Sequence, residues 1–235
     1  MLELEDLPPG TRLKLDGEGE DELWREVDSR GGVRSFCGKT GFDEARVYSW
    51  KNHCSSYPVE FVLELVDDAS PHVTGLKGGG RGSTVEDPEL PLPVNRELLT
   101  RVEVSVSVNR DGVPVYRAGE FSLVERFNEL LQELGNVPVS VYSRSPGYEL
   151  RYPKIVHSLL EGREFEPDFA ALVDERGRIE KGKLVAGNRD MDVENFSGEL
   201  YSRDRRLELA VERNDREEIE KLIGEEARKV REAFG

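Results

Sequence analysis

The chain has 235 residues, with 48 Asp or Glu against 33 Lys or Arg, a net charge of -15 and 37% hydrophobic residues. That length suffices for one large or two small domains with a real core. No apolar run approaches the roughly 18 residues of a membrane span, and the acidity opposes general binding to phosphate backbones at long range.

Two cysteines, Cys37 and Cys54, make no disulfide framework, and the opening MLELEDLPPG lacks the basic start and apolar centre of a secretory signal. Both features predict a cytoplasmic protein. Arg outnumbers Lys 24 to 9 and Gln occurs once, a thermophile-like profile.

In chain order, short runs at 11–15, 23–27, 45–50 and 59–66 carry strand-like alternation between Gly, Asp, Ser and Asn, which predicts a β-rich N-terminal part over residues 1–76. Within it, GGVRSFCGKTG at 31–41 nearly spells a phosphate-binding loop. The first glycine of that pattern would fall on Val33, Gly32 makes the spacing one residue too long, and no buried strand precedes it. The expectation is therefore a lysine-bearing surface turn between strands. Residues 77–94 pack glycines and then prolines without apolar periodicity, as a linker or long loop does.

Residues 95–235 read as an α+β domain. Val102, Val104, Val106 and Val108 alternate, a turn falls at 109–112 and Val113 resumes, predicting a hairpin. Ser122 and Glu125 form a capping box ahead of Val124, Phe127, Leu130, Leu131 and Leu134, with Gly135 closing the helix. A strand at 137–142, a helix from Pro153 carrying Ile155, Val156, Leu159 and Leu160, and strands near 169–173 and 179–185 follow. The tail predicts a helical hairpin with an apolar stripe of Ile219, Leu222, Ile223, Val230 and Phe234. The whole is an α+β fold: a β-rich first part, then a mixed sheet with two packing helices and the C-terminal hairpin.

Candidate chemistry lies on loops of the second part. Ser143, Arg144, Ser145 and Gly147, between a strand and a helix, combine hydroxyls, a guanidinium and freed N–H groups suited to an anion. Asp174 and Asp190 are carboxylates of the type that holds Mg²⁺. His53, His72 and the two cysteines lack metal-ligand spacing, so no metal site is assigned.

Two functions follow. The first is a non-catalytic binding or assembly protein, an accessory subunit without a cofactor, whose stripe Ile219, Leu222, Ile223, Val230 and Phe234 meets another protein or a second copy. The alternative is a Mg²⁺-assisted phosphohydrolase or nucleotide-using enzyme built on Asp174 and Asp190 with the Ser143–Arg144 loop.

Overall fold

A computed structural model describes residues 1–79, 82–119, 121–144 and 147–163, with 165, 183–186, 189–192, 213, 215, 217–218 and 221–222. It has the α+β character expected, in two compact units. The first comprises Met1–Pro93, Gln132–Pro138 and Pro153–Leu159; the second comprises Val94–Leu131, Val139–Tyr152 and the described residues from Leu160 on. No helix among the described residues is long and apolar enough to cross a membrane.

The first unit holds a four-stranded antiparallel sheet in the order β2-β1-β3-β4, with β1 at Arg12–Leu15, β2 at Tyr57–Pro58, β3 at Val73–Lys77 and β4 at Thr84–Glu86. β4 thus runs through the glycine- and proline-rich segment expected as a linker. Four helices accompany the sheet: α1 (Gly17–Ser29), α2 (Gly32–Thr40), α3 (Glu44–His53) and α4 (Val59–Leu63).

Three of the four expected strands in this part are therefore helical. In α1 the buried residues are Gly19, Leu23 and Val27, four apart, and Asp16 caps the helix by accepting from the Gly19 N–H at 2.7 Å. That spacing and cap favour a helix over the local alternation around Leu23. Residues 45–50 behave likewise, because Asp43 caps α3 through the Arg46 N–H at 2.8 Å.

Phe61 of α4 is fully buried and meets four other rings: Trp24 at 5.8 Å, Phe36 at 5.7 Å, Phe42 at 5.5 Å and Trp50 at 5.0 Å between centroids. One side chain thereby ties α1, α2, the residues after it and α3 together. Each such aromatic pair adds about 0.5–1.5 kcal/mol beyond its area burial.

In the second unit, α5 (Arg96–Ser105) is capped by Asn95, whose Oδ1 accepts from the Leu98 N–H at 2.8 Å. The expected hairpin accordingly begins later than its valine alternation implies: Val102 lies in the helix, and only Val106–Val108 forms strand β5. The turn is where expected, with Asn109 Oδ1 accepting from the N–H groups of Asp111 and Val113, both at 2.9 Å. β6 (Pro114–Ala118), α6 (Phe121–Gln132), β7 (Ser140–Arg144), β8 (Gly147–Arg151) and α7 (Lys154–Leu160) follow.

The sheet is antiparallel throughout, in the order β5-β6-β8-β7. α5 and α6 cover one face of it. The Arg101 guanidinium donates to the Tyr116 hydroxyl at 3.3 Å, and the Tyr116 ring stacks on Phe127 at 4.2 Å.

Further on, β9 (Lys183–Ala186) pairs antiparallel with β10 (Arg189–Asp192). The strand expected near 169–173 and most of the C-terminal helical hairpin lie outside the described residues.

Candidate functional site

The stretch GGVRSFCGKTG is α2 with its two ends. Gly38, Lys39 and Thr40 stand at the C-terminal end of a helix, where carbonyl oxygens and the negative end of the dipole face outward. A phosphate loop requires the opposite arrangement, a glycine turn leading into a helix N-terminus. The segment is neither that loop nor a turn between strands.

Its geometry has another meaning. α2 stops because Gly41 takes the left-handed conformation, φ 83°, and its N–H closes on the Cys37 carbonyl at 2.9 Å. A residue with a side chain is strained there. Phe42 follows, its ring stacked on Phe36 at 5.7 Å, which fixes the chain against α2. Asp43 then caps α3. Two helices are thus joined by three residues, of which the first stops one helix, the second anchors the chain and the third starts the next helix.

α2 packs on both α1 and α3. Its inward side carries the buried Val33, Phe36 and Cys37, and the small Cys37 sits where the first turn of α3 approaches. Burial pushes the Cys37 thiol up, and the carboxylates of Glu44 and Asp43 push it further. It is a packing residue and no nucleophile.

α3 touches the core along one narrow edge. Val47 is its one buried residue, and Trp50, one turn on, is half-buried. Ala45, Tyr48, Ser49 and Asn52 lie on the opposite, exposed side, with Arg46 beside them. A ten-residue helix held this way presents an amide, hydroxyls, a methyl group and a guanidinium to whatever approaches.

The charge here differs from that of the chain. From Gly31 to His53 there are four Lys or Arg against two acids, and both acids, Asp43 and Glu44, stand at the start of α3. Lys51 is engaged within the unit, its Nζ 3.2 Å from Asp28 Oδ1 and 5.4 Å from the Trp24 ring centroid. Arg34, Lys39 and Arg46 are exposed and pair with no acid among the described residues. Two uncommitted cations therefore stand on α2 and one on α3.

The residues singled out from sequence lie elsewhere. Ser143 and Arg144 end β7 and Gly147 begins β8, so their loop joins two antiparallel strands and precedes no helix; Ser145 lies outside the described residues. A Cβ on Gly147 would strike the Ala118 carbonyl, which accounts for the glycine by packing. Asp190 is in β10 opposite Val185, and Asp174 lies outside the described residues. Of the C-terminal stripe, Leu222 is buried, while Ile219, Ile223, Val230 and Phe234 lie outside them.

Sequence reasoning passed over Arg46, Tyr48, Ser49 and Asn52. The signal was present in TGFDEARV: a glycine stop, an Asp cap two residues later and a helix-forming run behind it. No family model, curated protein or solved structure matches the chain.

Proposed function

We propose that the protein binds duplex DNA through a helix–turn–helix formed by α2 and α3, with α3 entering the major groove. The observation that carries this reading is the coupling of two short helices through a three-residue, glycine-containing turn to an α3 that buries Val47, half-buries Trp50 and exposes the rest.

A helix in the major groove reads base edges with such side chains: Asn52 suits adenine, Arg46 guanine, and Ala45 the thymine methyl. Arg34 and Lys39 on α2 are placed to neutralise phosphates, which set register without reading sequence. The acidity of the rest of the chain repels DNA that α3 does not fit, so this surface works as a selective binder. The whole-chain charge, which argued against nucleic acid, does not describe the face that would meet it.

The test uses the full-length protein. Duplexes enriched from a random library should share a sequence, and fluorescence anisotropy should then show Arg46→Ala and Asn52→Ala relaxing that preference. Lys39→Ala should weaken all duplexes alike and lower the salt slope by about 1, with ATP and GTP binding unchanged from the parent. An unenriched library, or α3 variants that bind as the parent does, would refute the reading.

A further inference from the structure

The second unit carries a different surface. Its sheet has one face under α5 and α6, with Tyr116 and Leu150 fully buried there. Strand register decides what points the other way, since residues opposite each other on paired antiparallel strands share a face. Arg151 is opposite Val115 on one side and Ser140 on the other, Glu149 is opposite Arg117 and Tyr142, and Arg144 is opposite Gly147. The face away from the helices therefore collects three arginines.

They are organised by one carboxylate. Glu149 Oε1 accepts from Arg151 Nε at 2.7 Å and lies 2.7 Å from its Nη2, and Oε2 accepts from Arg117 Nε at 3.2 Å and lies 3.2 Å from its Nη2. Arg117 Nη1 also donates to Ser107 Oγ at 3.1 Å. Burial pushes the Glu149 carboxyl up, but the hydrogen bonds and charges of Arg151 and Arg117 outweigh it and hold the group below the usual carboxylate range. The glutamate side chain is 7% exposed, whereas Arg117 is 59% and Arg151 35% exposed. The carboxylate is thus more deeply buried than the two guanidinium groups that hold it.

We infer that the arginine-bearing part of this face is a second duplex-DNA contact surface, separate from α3. Two guanidinium groups on one buried carboxylate, with the exposed Arg144 on the same face and Asp111 on the β5–β6 turn, form a cationic patch on a chain of net charge -15. Phosphates and guanine edges are the ligands that planar, pre-oriented arginine forks match in pairs. The duplex is favoured over a single strand because this face offers one ring, the exposed Tyr142, with Arg151 at 4.8 Å and Arg144 at 5.7 Å from its centroid. A single strand binds by stacking successive bases on a series of rings. Sheets that read duplexes do so with polar side chains; here Arg117, Tyr142 and Arg144 are exposed, while Val115 on the same face is buried.

The experiment measures anisotropy of a labelled mixed-sequence duplex of about 20 base pairs with full-length protein across a salt series. Arg144→Ala and Arg117→Ala are compared with Lys39→Ala on α2. Arg144 is exposed and pairs with no carboxylate among the described residues, so its removal leaves the fold intact even if Arg117→Ala, which loosens Glu149, does not.

The sheet variants should each bind several-fold more weakly, with a salt slope lower by about 1, and polyglutamate should compete poorly. Parent-like affinity and slope in Arg144→Ala overturn the inference, as does a single strand of the same sequence that binds as well as the duplex, or polyglutamate that displaces it, which would mark the face as a site for acidic peptide. If the sheet variants weaken binding and Lys39→Ala does not, this face is the DNA surface and the reading of the α2–α3 pair falls. The reverse pattern removes the sheet and leaves α3.

Discussion

Replacing glycine by alanine should have opposite signs at two helical positions. In a helix interior the change is ordinarily favourable by about 0.5–1 kcal/mol, because glycine loses more backbone freedom on folding. Gly38 in α2 has open space around its missing Cβ, so Gly38→Ala should realise that gain.

Gly19 in α1 lies against His72. A Cβ there would stand 2.5 Å from His72 Cβ and 3.0 Å from Cγ, where carbon atoms ordinarily meet at about 3.5–4.0 Å. Roughly 1 Å must be found, and both ways of finding it cost something. If His72 retreats, its Nδ1 loses the 3.2 Å bond to Asp16 Oδ1; if the first turn of α1 retreats, Asp16 loses its bond from the Gly19 N–H. Overpacking of this kind costs about 1–3 kcal/mol, which exceeds the helical gain. Gly19→Ala should therefore fall about 2 kcal/mol below Gly38→Ala.

Urea unfolding followed by tryptophan fluorescence suits the comparison, since both tryptophans, Trp24 and Trp50, lie in the first unit around Phe61. A Gly19→Ala protein as stable as the parent, or more so, would show that α1 does not enter against His72 as described.

Phe61→Ala removes the ring that four others meet and should cost about 3–5 kcal/mol, read as a lower urea midpoint. It should also abolish the DNA binding proposed for α3 at temperatures where the second unit stays folded by circular dichroism. On the acid side, Glu149 and Glu97 are both held below the usual carboxylate range, in each case against burial, by Arg151 and Arg117 and by Arg126 and Arg101. A depressed carboxyl contributes stability that is complete above its unfolded pKa, about 4.3, and is lost as pH falls through the folded one. The thermal midpoint should therefore drop on acidification below about pH 4, and Glu149→Gln should flatten part of that limb. A midpoint indifferent to pH there would contradict the ion pairs.

What the sequence disclosed and what it concealed divide along physical lines. α6 and α7 were legible because each has a broad apolar face, Val124, Phe127, Leu130 and Leu131 in one and Ile155, Val156, Leu159 and Leu160 in the other. α3 was not, because a helix that buries only Val47 has almost no periodicity to detect. Its start is announced only by the Gly41 stop and the Asp43 cap. The valines from 102 onward misled for the opposite reason: their alternation is genuine, but the Asn95 cap and the burial of Leu98, Leu99 and Val102 carry the helix through it. The arginine face was hidden because Arg117, Glu149 and Arg151 come together only through strand register, which no local pattern encodes.

Residues from well past the middle of the chain complete the first unit. Asn136 exchanges backbone hydrogen bonds with Glu86, the Glu89 N–H donates to the Leu134 carbonyl at 3.2 Å, and Val156 and Leu159 are buried parts of the same unit. A ribosome that has released residues 1–93 has therefore not yet supplied the pieces that close this half. Its apolar interior must wait, partly open, while the strands β5 to β8 are made. Cutting the gene between the two halves would yield an N-terminal fragment with Glu86 and Glu89 facing water where the segment of Leu134 and Asn136 belongs, so the α2–α3 pair is better studied in the intact polypeptide than in a piece ending at the apparent seam.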